Sequence, residues 1–276
     1  MNKLLKVIIF GKYTFYYLSN DKYIGQRIAL EKYEPYETKL ILRQTKKGDA
    51  VIDVGANIGY YTILLANKVG NEGKVYAFEP DKTNFKILEK NIKANNLKNV
   101  VAINAAVGSK NEINILYKSK DNLGDHKLFN DQNIMSNIQE VNIIKLDDFI
   151  KDTEINLLKI DVQGWEPEVI NGAKKIIRRD KPIIFLEYSP ASYQKAKLDG
   201  KEMMKFLRKI YLKIWWIDEW LYIYKNLSQK IINEICRTNK TGYADLWMKN
   251  KVIFNDKIGQ IKDLRFKKLI KKIIKI

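Results

Sequence analysis

The segment VIDVGANIGYYTILLA at residues 51–66, followed by KVYAFEP at 74–80, constrains this chain more than any other stretch. An apolar, β-branched run ends at Asp53, enters the turn Gly55-Ala56-Asn57-Ile58-Gly59, and then takes up helical spacing through Tyr61, Leu64, Leu65 and Val69. That pattern is a strand, a tight glycine turn and a helix start, followed by a second strand ending at Glu79. Glycines at 55 and 59 let the backbone pass close to a ligand, and the free N–H groups of the first helical turn offer it hydrogen bonds. Glu79, at the neighbouring strand tip, is placed to accept hydrogen bonds from both hydroxyls of a ribose. Together these features describe a nucleoside pocket.

Two kinds of cofactor use such a layout. A dinucleotide-binding turn reads G-x-G-x-x-G because a pyrophosphate sits directly on the helix amides. Here the third glycine is missing and Asn57 stands in place of the second. Asp53 at the mouth of the turn would repel a pyrophosphate but suits the ammonium of a methionine moiety, since opposite charges attract strongly in a partly desolvated site. The pattern favours S-adenosylmethionine over NAD.

Five separated blocks, VIDVGANIGYYT, KVYAFEPDKTNFKILEKNIKANNL, NAAVG, KLDDF and LLKIDVQGWEPEVINGA, resemble the FkbM family of S-adenosylmethionine-dependent methyltransferases in order and spacing. The resemblance covers residues 31–190 well and runs loosely to about 250. It implies an α/β, Rossmann-like class I methyltransferase fold: a mostly parallel seven-stranded sheet with helices on both faces and a small N-terminal extension. It also implies methylation of a hydroxyl on a sugar, glycan or small natural product, without fixing the acceptor.

With 276 residues, 46% of them apolar, the chain has material for one α/β domain with some decoration. We divide it into an N-terminal extension and cover helix (1–47), a methyltransferase domain (48–252) and a basic amphipathic tail (253–276). The lone Cys236 excludes an internal disulfide framework and a cysteine zinc cluster, which fits a reducing, cytoplasmic compartment. LLKVIIF near the N-terminus is broken by Lys6 and lacks a small-residue cleavage site, so no signal peptide is expected. IYLKIWWIDEWLYIY at 210–224 carries Lys213, Asp218 and Glu219 and falls short of a membrane span.

A net charge of +18 points toward nucleic acid or anionic lipid. Yet only seven residues are arginine, the side chain that grips bases and phosphates in a planar fork. The tail holds eight lysines and arginines against two aspartates, with Ile261, Leu264, Leu269, Ile273 and Ile276 broadly on one helical face. It suits peripheral contact with the inner face of a membrane, or packing on the domain.

Along the chain we expect a hairpin within 1–30, a cover helix over 31–47 presenting Tyr36, Leu40, Ile41 and Gln44, and strands at 50–54, 74–79, 100–107, 155–162 and 182–189. Helices are expected at 58–69, 81–96 (apolar face Phe85, Leu88, Ile92, Leu97), 166–180 and 201–210. Strand 100–107 reads as buried on both faces. A loop at 119–139 lies between two short strands, and WWIDEWLYIY and GYADLWMKN close the sheet.

Strand tips gather the working groups of such sheets. We assign Asp53, Gly55, Asn57, Gly59, Glu79, Ala105 and Ala106 to cofactor binding, with the alanines facing adenine. Asp161 and Glu187 are candidates for orienting the acceptor or removing its proton; two carboxylates are no distinctive metal pattern, and no metal is assigned. His126, the only histidine, lies in Asn122-Leu123-Gly124-Asp125-His126-Lys127, a pattern also found in part of the FkbM family, and is the third catalytic candidate as a general base above Asp161.

A nucleic-acid methyltransferase is the alternative. The Asn/Asp-Pro-Pro-aromatic turn of amino methylation is replaced by IDVQGW, and Cys236 has no preceding proline to suggest a cytosine nucleophile. A membrane-surface protein that keeps the fold without catalysis is the third reading, opposed by the intact Asp53, Gly55, Gly59 and Glu79. The oligomeric state is open.

Overall fold

The computed structural model describes residues 2–120, 122–131, 135–217, 223–224, 228–238 and 242–249. The basic tail at 253–276 lies outside the described residues. In chain order come a hairpin of β1 (Leu4–Ile9) and β2 (Tyr13–Leu18), helices α1 (Gly25–Ala29) and α2 (Pro35–Gln44), then β3 (Ala50–Val54), α3 (Tyr60–Val69), β4 (Lys74–Phe78), α4 (Lys82–Ala94) and β5 (Val100–Ile103). There follow β6 (Ala106–Val107), β7 (Glu112–Ser119), β8 (Met135–Ile144), α5 (Leu146–Phe149), β9 (Leu157–Ile160), α6 (Glu166–Gly172), α7 (Lys174–Asp180) and β10 (Ile183–Tyr188). The last are α8 (Pro190–Lys195), α9 (Gly200–Ile210), β11 (Ile214–Ile217), β12 (Ile223–Tyr224), α10 (Gln229–Thr238) and β13 (Ala244–Met248).

The central sheet runs β12-β11-β13-β10-β9-β3-β4-β5. From β10 to β5 it is parallel, and the strands beyond β10 are antiparallel. Eight described strands stand where seven were expected, because WWIDEWLYIY contributes to both β11 and β12. Side chains alternate along each strand and so feed two cores. Ile52, Val54, Leu158, Ile160, Ile184 and Leu186 pack with α6, α7 and α9 on one face. Val51, Val75, Leu157 and Phe185 pack with α2, α3 and the hairpin on the other. All five residues of β3 are buried, each large one contributing about 1.5–3 kcal/mol.

Two expectations are corrected and a third is extended. Residues 100–107 are not one strand buried on both faces: β5 is a half-buried edge strand, and β6 joins a separate sheet ordered β6-β8-β7. The break falls at Asn104, whose side-chain amide donates to the carbonyls of Glu79 (2.8 Å) and Pro80 (3.1 Å) and turns the chain out of the sheet. The helix expected over 166–180 is two, parted at Ala173, where Gly172 packs so tightly that a Cβ there would lie 1.9 Å from the Gly108 carbonyl oxygen. The buried face of α4 includes Asn84 and Asn91. Asn91 donates to the carbonyls of Tyr16 (3.0 Å) and Ile58 (2.8 Å) and accepts from the Tyr16 N–H (2.6 Å), so this polar residue docks the hairpin onto the domain.

Candidate active site

From β3 the chain proceeds outward through β4 and β5, and returns to place β9 on the other side of β3. A crevice opens at the carboxyl ends of strands where the order reverses in this way. Here it is a cavity of about 310 Å³. Asp53, Gly55, Asn57, Glu79, Ala105 and Ala106 line it, and so do His126, Asp161 and Glu187. Gly59 does not: it caps α3 at φ +94°, and a Cβ there would lie 2.6 Å from Leu88 Cδ1, so its service is to bring α3 and α4 together. Gly55, at φ +82°, has a comparable duty, since a Cβ would stand 1.9 Å from the backbone oxygen of Asp161 and force the tips of β3 and β9 apart.

Glu79 is buried, and its two carboxylate oxygens are oriented by backbone donors: the Asn57 N–H reaches Oε2 (2.8 Å) and the Asp81 N–H reaches Oε1 (2.9 Å). Each oxygen keeps a further lone pair, so a diol has two acceptors at the correct separation. Burial, with the charge of Asp81 nearby, pushes the Glu79 carboxyl up to about 8, against the opposing effect of the two amides. Asp53 is buried as well; Thr62 Oγ1 donates to its Oδ2 at 2.6 Å, while Oδ1 has no hydrogen-bond partner. Burial raises its pKa despite the Lys159 ammonium 4.0 Å away. A buried carboxylate oxygen left without a donor is costly, and one that faces a cavity is a seat for a ligand's donor.

The loop bearing His126 is fastened to this nucleoside end. The Leu123 carbonyl accepts from the side-chain amides of Asn57 (3.2 Å) and Asn84 (3.0 Å). His126 Nδ1 accepts the backbone N–H of Ser119 (3.1 Å), which fixes the neutral ring with its proton on Nε2, an atom that is buried without a partner. Burial lowers its pKa, outweighing the nearby Asp81. The ring's one acceptor lone pair, on Nδ1, is thereby committed, and His126, which lines the cavity, keeps Nε2–H as an unpartnered donor. The charged groups acting on His126 are Asp81 and Lys118, while Asp161, which lines the same cavity, acts on Glu34, Asp53, Lys159, Glu187 and Asp245.

At the other end Asp161 sits between Lys159 Nζ (3.5 Å) and the Gln163 side-chain amide (2.8 Å). Lys159 is buried, packs 4.7 Å over the Tyr61 ring, and has its pKa raised: burial works against the charge, but Asp161, Asp53 and Glu34 together outweigh it. Tyr61 donates its hydroxyl to Glu34 (2.7 Å). Glu187 and Asp245 are register partners across β10 and β13, and burial lifts both carboxyls well above the ordinary range. Sequence reasoning missed Glu34, Lys159 and Asp245 as part of this lining. Lys159 and Asp161 stand two residues apart at one strand end, the spacing that places side chains on one face. Among the described residues no group of three or more metal-ligating side chains is positioned to hold a metal ion.

A parallel sheet with a reversal point, a glycine turn against an acidic strand tip and a second acidic tip beside it define a class I methyltransferase. Residues 53–213 match the Methyltransferase FkbM domain, more than half of the chain, and the protein belongs to that family. "Methyltransferase 1" of Beauveria bassiana (strain ARSEF 2860) is 27% identical over 143 residues, covering 44% of this chain and 57% of the relative. The chain thus spans little more than half the length of that relative. Among solved structures, the methyltransferase FkbM from Methylobacillus flagellatus KT is 15% identical with a TM-score of 0.46, over 75% of this chain and 44% of that one. An S-adenosylmethionine-dependent O-methyltransferase from Thermotoga maritima is 16% identical with a TM-score of 0.43, over 79% and 66%.

Proposed function

We propose that this methyltransferase moves a methyl group from S-adenosylmethionine to a hydroxyl of a sugar, glycan or small natural product. The observation that supports the cofactor is the pair of acceptors in the cavity lining that keep hydrogen-bonding capacity: Asp53 Oδ1, which has the Lys159 ammonium at 4.0 Å but no hydrogen bond, and the free lone pairs of Glu79. Glu79 would take the ribose hydroxyls, Asp53 the ammonium of the methionine moiety, and Ala105 and Ala106 would give the adenine a flat apolar seat. In place of the expected base, we assign His126 Nε2–H as a donor to the nucleoside. Bound S-adenosylmethionine supplies an electrophilic methyl on a sulfonium, which leaves as a neutral thioether when an acceptor oxygen takes the methyl.

The chain's own work is positioning and proton removal. Asp161 is held from one side by Lys159 and from the other by Gln163, and is our assignment for the carboxylate that takes the acceptor's proton. Glu187, on the same wall, orients the acceptor. Calorimetric titration with S-adenosylmethionine and its demethylated product, followed by a mass-shift screen of acceptors, tests the reading; NAD binding more tightly than either would overturn it. We retain a cytoplasmic placement on the strength of Cys236, whose thiol is buried, and peripheral membrane contact through residues 253–276 as a proposal from their sequence. Among the described residues no helix is long and apolar enough to cross a membrane.

A further inference from the structure

A second chamber, of about 390 Å³, adjoins the first and shares Arg27, Glu34, Tyr61, Lys159, Asp161, Glu187 and Tyr243 with it. An acceptor must reach the methyl group through a space continuous with the donor cavity, and this one opens at the Asp161 end, away from Glu79 and His126. Its size suits one or two small rings.

The charge of its walls is the informative part. Glu34, Glu37, Asp161, Glu187 and Asp245 all line it. Against them Arg27 and Lys32 are exposed at the rim, and the single buried cation of the lining, Lys159, is already shared between Asp161 and Asp53. Glu187 and Asp245 face each other across β10 and β13, and neither carboxylate makes a hydrogen bond or ion pair among the described residues. Two carboxyls directly opposite on paired strands resist ionising together, and a cation between them would favour the ionised pair. Tyr36, Tyr61 and Tyr243 add ring walls to the same chamber, surfaces that favour both sugar rings and ammonium groups.

Resting on the reading that the first cavity holds S-adenosylmethionine, we propose that the second chamber is the acceptor site and that it selects an acceptor carrying a protonated amine beside its hydroxyls, the chemistry of an amino sugar or a cyclic amino alcohol. The amine pairs with Glu187 and Asp245, and the hydroxyl to be methylated lies toward Asp161. Phosphorylated and carboxylated acceptors are turned away by the same groups.

The experiment uses the full chain loaded with S-adenosylhomocysteine at pH 6.5, titrated calorimetrically with glucosamine, N-acetylglucosamine and glucosamine 6-phosphate. Acetylation removes the charge and keeps the ring. Glucosamine should bind at least about tenfold more tightly than either of the others, the scale of one retained charge-assisted contact. Asp245→Asn, which touches only the second chamber, should abolish that preference while S-adenosylhomocysteine affinity is kept, and Asp245→Glu should restore it. Equal binding of the acetylated sugar, tighter binding of the phosphate, no saturable binding of glucosamine to loaded protein, or a preference that survives Asp245→Asn would each overturn the proposal. Failure of S-adenosylhomocysteine itself to bind would instead overturn the cofactor reading on which the proposal stands.

Discussion

Glu79 offers a test of the nucleoside pocket that needs no acceptor. In the free protein its carboxyl is pushed up to about 8 by burial, while the ribose contacts require the ionised form. Ligand binding must then expel a proton below that pH, and affinity must climb with pH until Glu79 is ionised on its own. With a pKa near 8, about three quarters of the free sites are ionised at pH 8.5 and about 3% at pH 6.5, so affinity should rise about 25-fold across that interval, close to 2 kcal/mol. S-adenosylmethionine carries an amino group that titrates in the same window. The probe should therefore be 5′-methylthioadenosine, which keeps the nucleoside and lacks that group. Calorimetry in two buffers of different ionisation enthalpy reads proton release directly, and about 0.9 proton per site is expected at pH 7. Glu79→Gln removes the titration and turns an amide donor toward one backbone N–H. Its binding should be independent of pH and weaker than the wild-type plateau by about 1–3 kcal/mol. A wild type that releases no proton, or a Glu79→Gln profile with the same slope, would refute the reasoning.

Glu166, fully buried and accepting the N–H groups of Val162 (3.1 Å) and Gly164 (3.2 Å), has its carboxyl raised to about 7 by burial, so the folded state holds a proton that the unfolded state releases above pH 4.5. Its stabilisation is therefore present at low pH and lost as pH rises through 7, about 3 kcal/mol in all; urea melts from pH 5 to 8.5 should show the decline in wild type and a flatter profile in Glu166→Gln, and equal slopes would count against it. Gly55→Ala, with φ +82° and a contact of 1.9 Å to the Asp161 oxygen, should cost about 3 kcal/mol or more, and a melt within about 0.5 kcal/mol of wild type would show that the tips of β3 and β9 separate freely. His126→Ala should weaken S-adenosylmethionine binding about 5- to 10-fold, with turnover at saturating cofactor within a few-fold of wild type. Asp161→Asn should do the reverse, leaving binding intact and lowering turnover about 100- to 10,000-fold; exchange of the two phenotypes would return the base to His126.

The strand, turn and helix of residues 50–69 were legible because local pattern and global role coincide: β3 is buried on both faces and reads as a continuous apolar run. Glu79 was legible for a related reason, as a carboxylate directly ending a buried strand. Strand 100–107 misled because its apolar run conceals Asn104, whose two side-chain hydrogen bonds override propensity and divide the run between two sheets. The chemistry of His126 was beyond the sequence, since it depends on one backbone N–H, that of Ser119, reaching Nδ1 rather than Nε2. Asp245 was hidden in register: GYADLWMKN reads as a closing strand, but which residue falls opposite Glu187 is settled by pairing across 58 positions of chain.

The overall charge of the protein and the charge of its site have opposite signs, and they act over different ranges. Fifty lysines and arginines against 32 aspartates and glutamates draw any anion toward the surface. That attraction is screened within about 8 Å at physiological salt and governs approach, not the final few ångströms. Inside the second chamber Asp161, Glu187 and Asp245 act at contact range in a partly desolvated space, where Coulomb terms are several times larger than in water. On the proposal that the second chamber holds the acceptor, a polyanion gathered by the surface lysines would meet repulsion where its acceptor atom approaches the methyl group, whereas a neutral polyol or an amine would meet hydrogen-bond acceptors or opposite charge. On that proposal, raising the salt concentration should weaken the attraction of any anion to the surface and leave the selectivity of the chamber nearly untouched, because the first is a long-range effect of composition and the second a contact effect of three carboxyl groups.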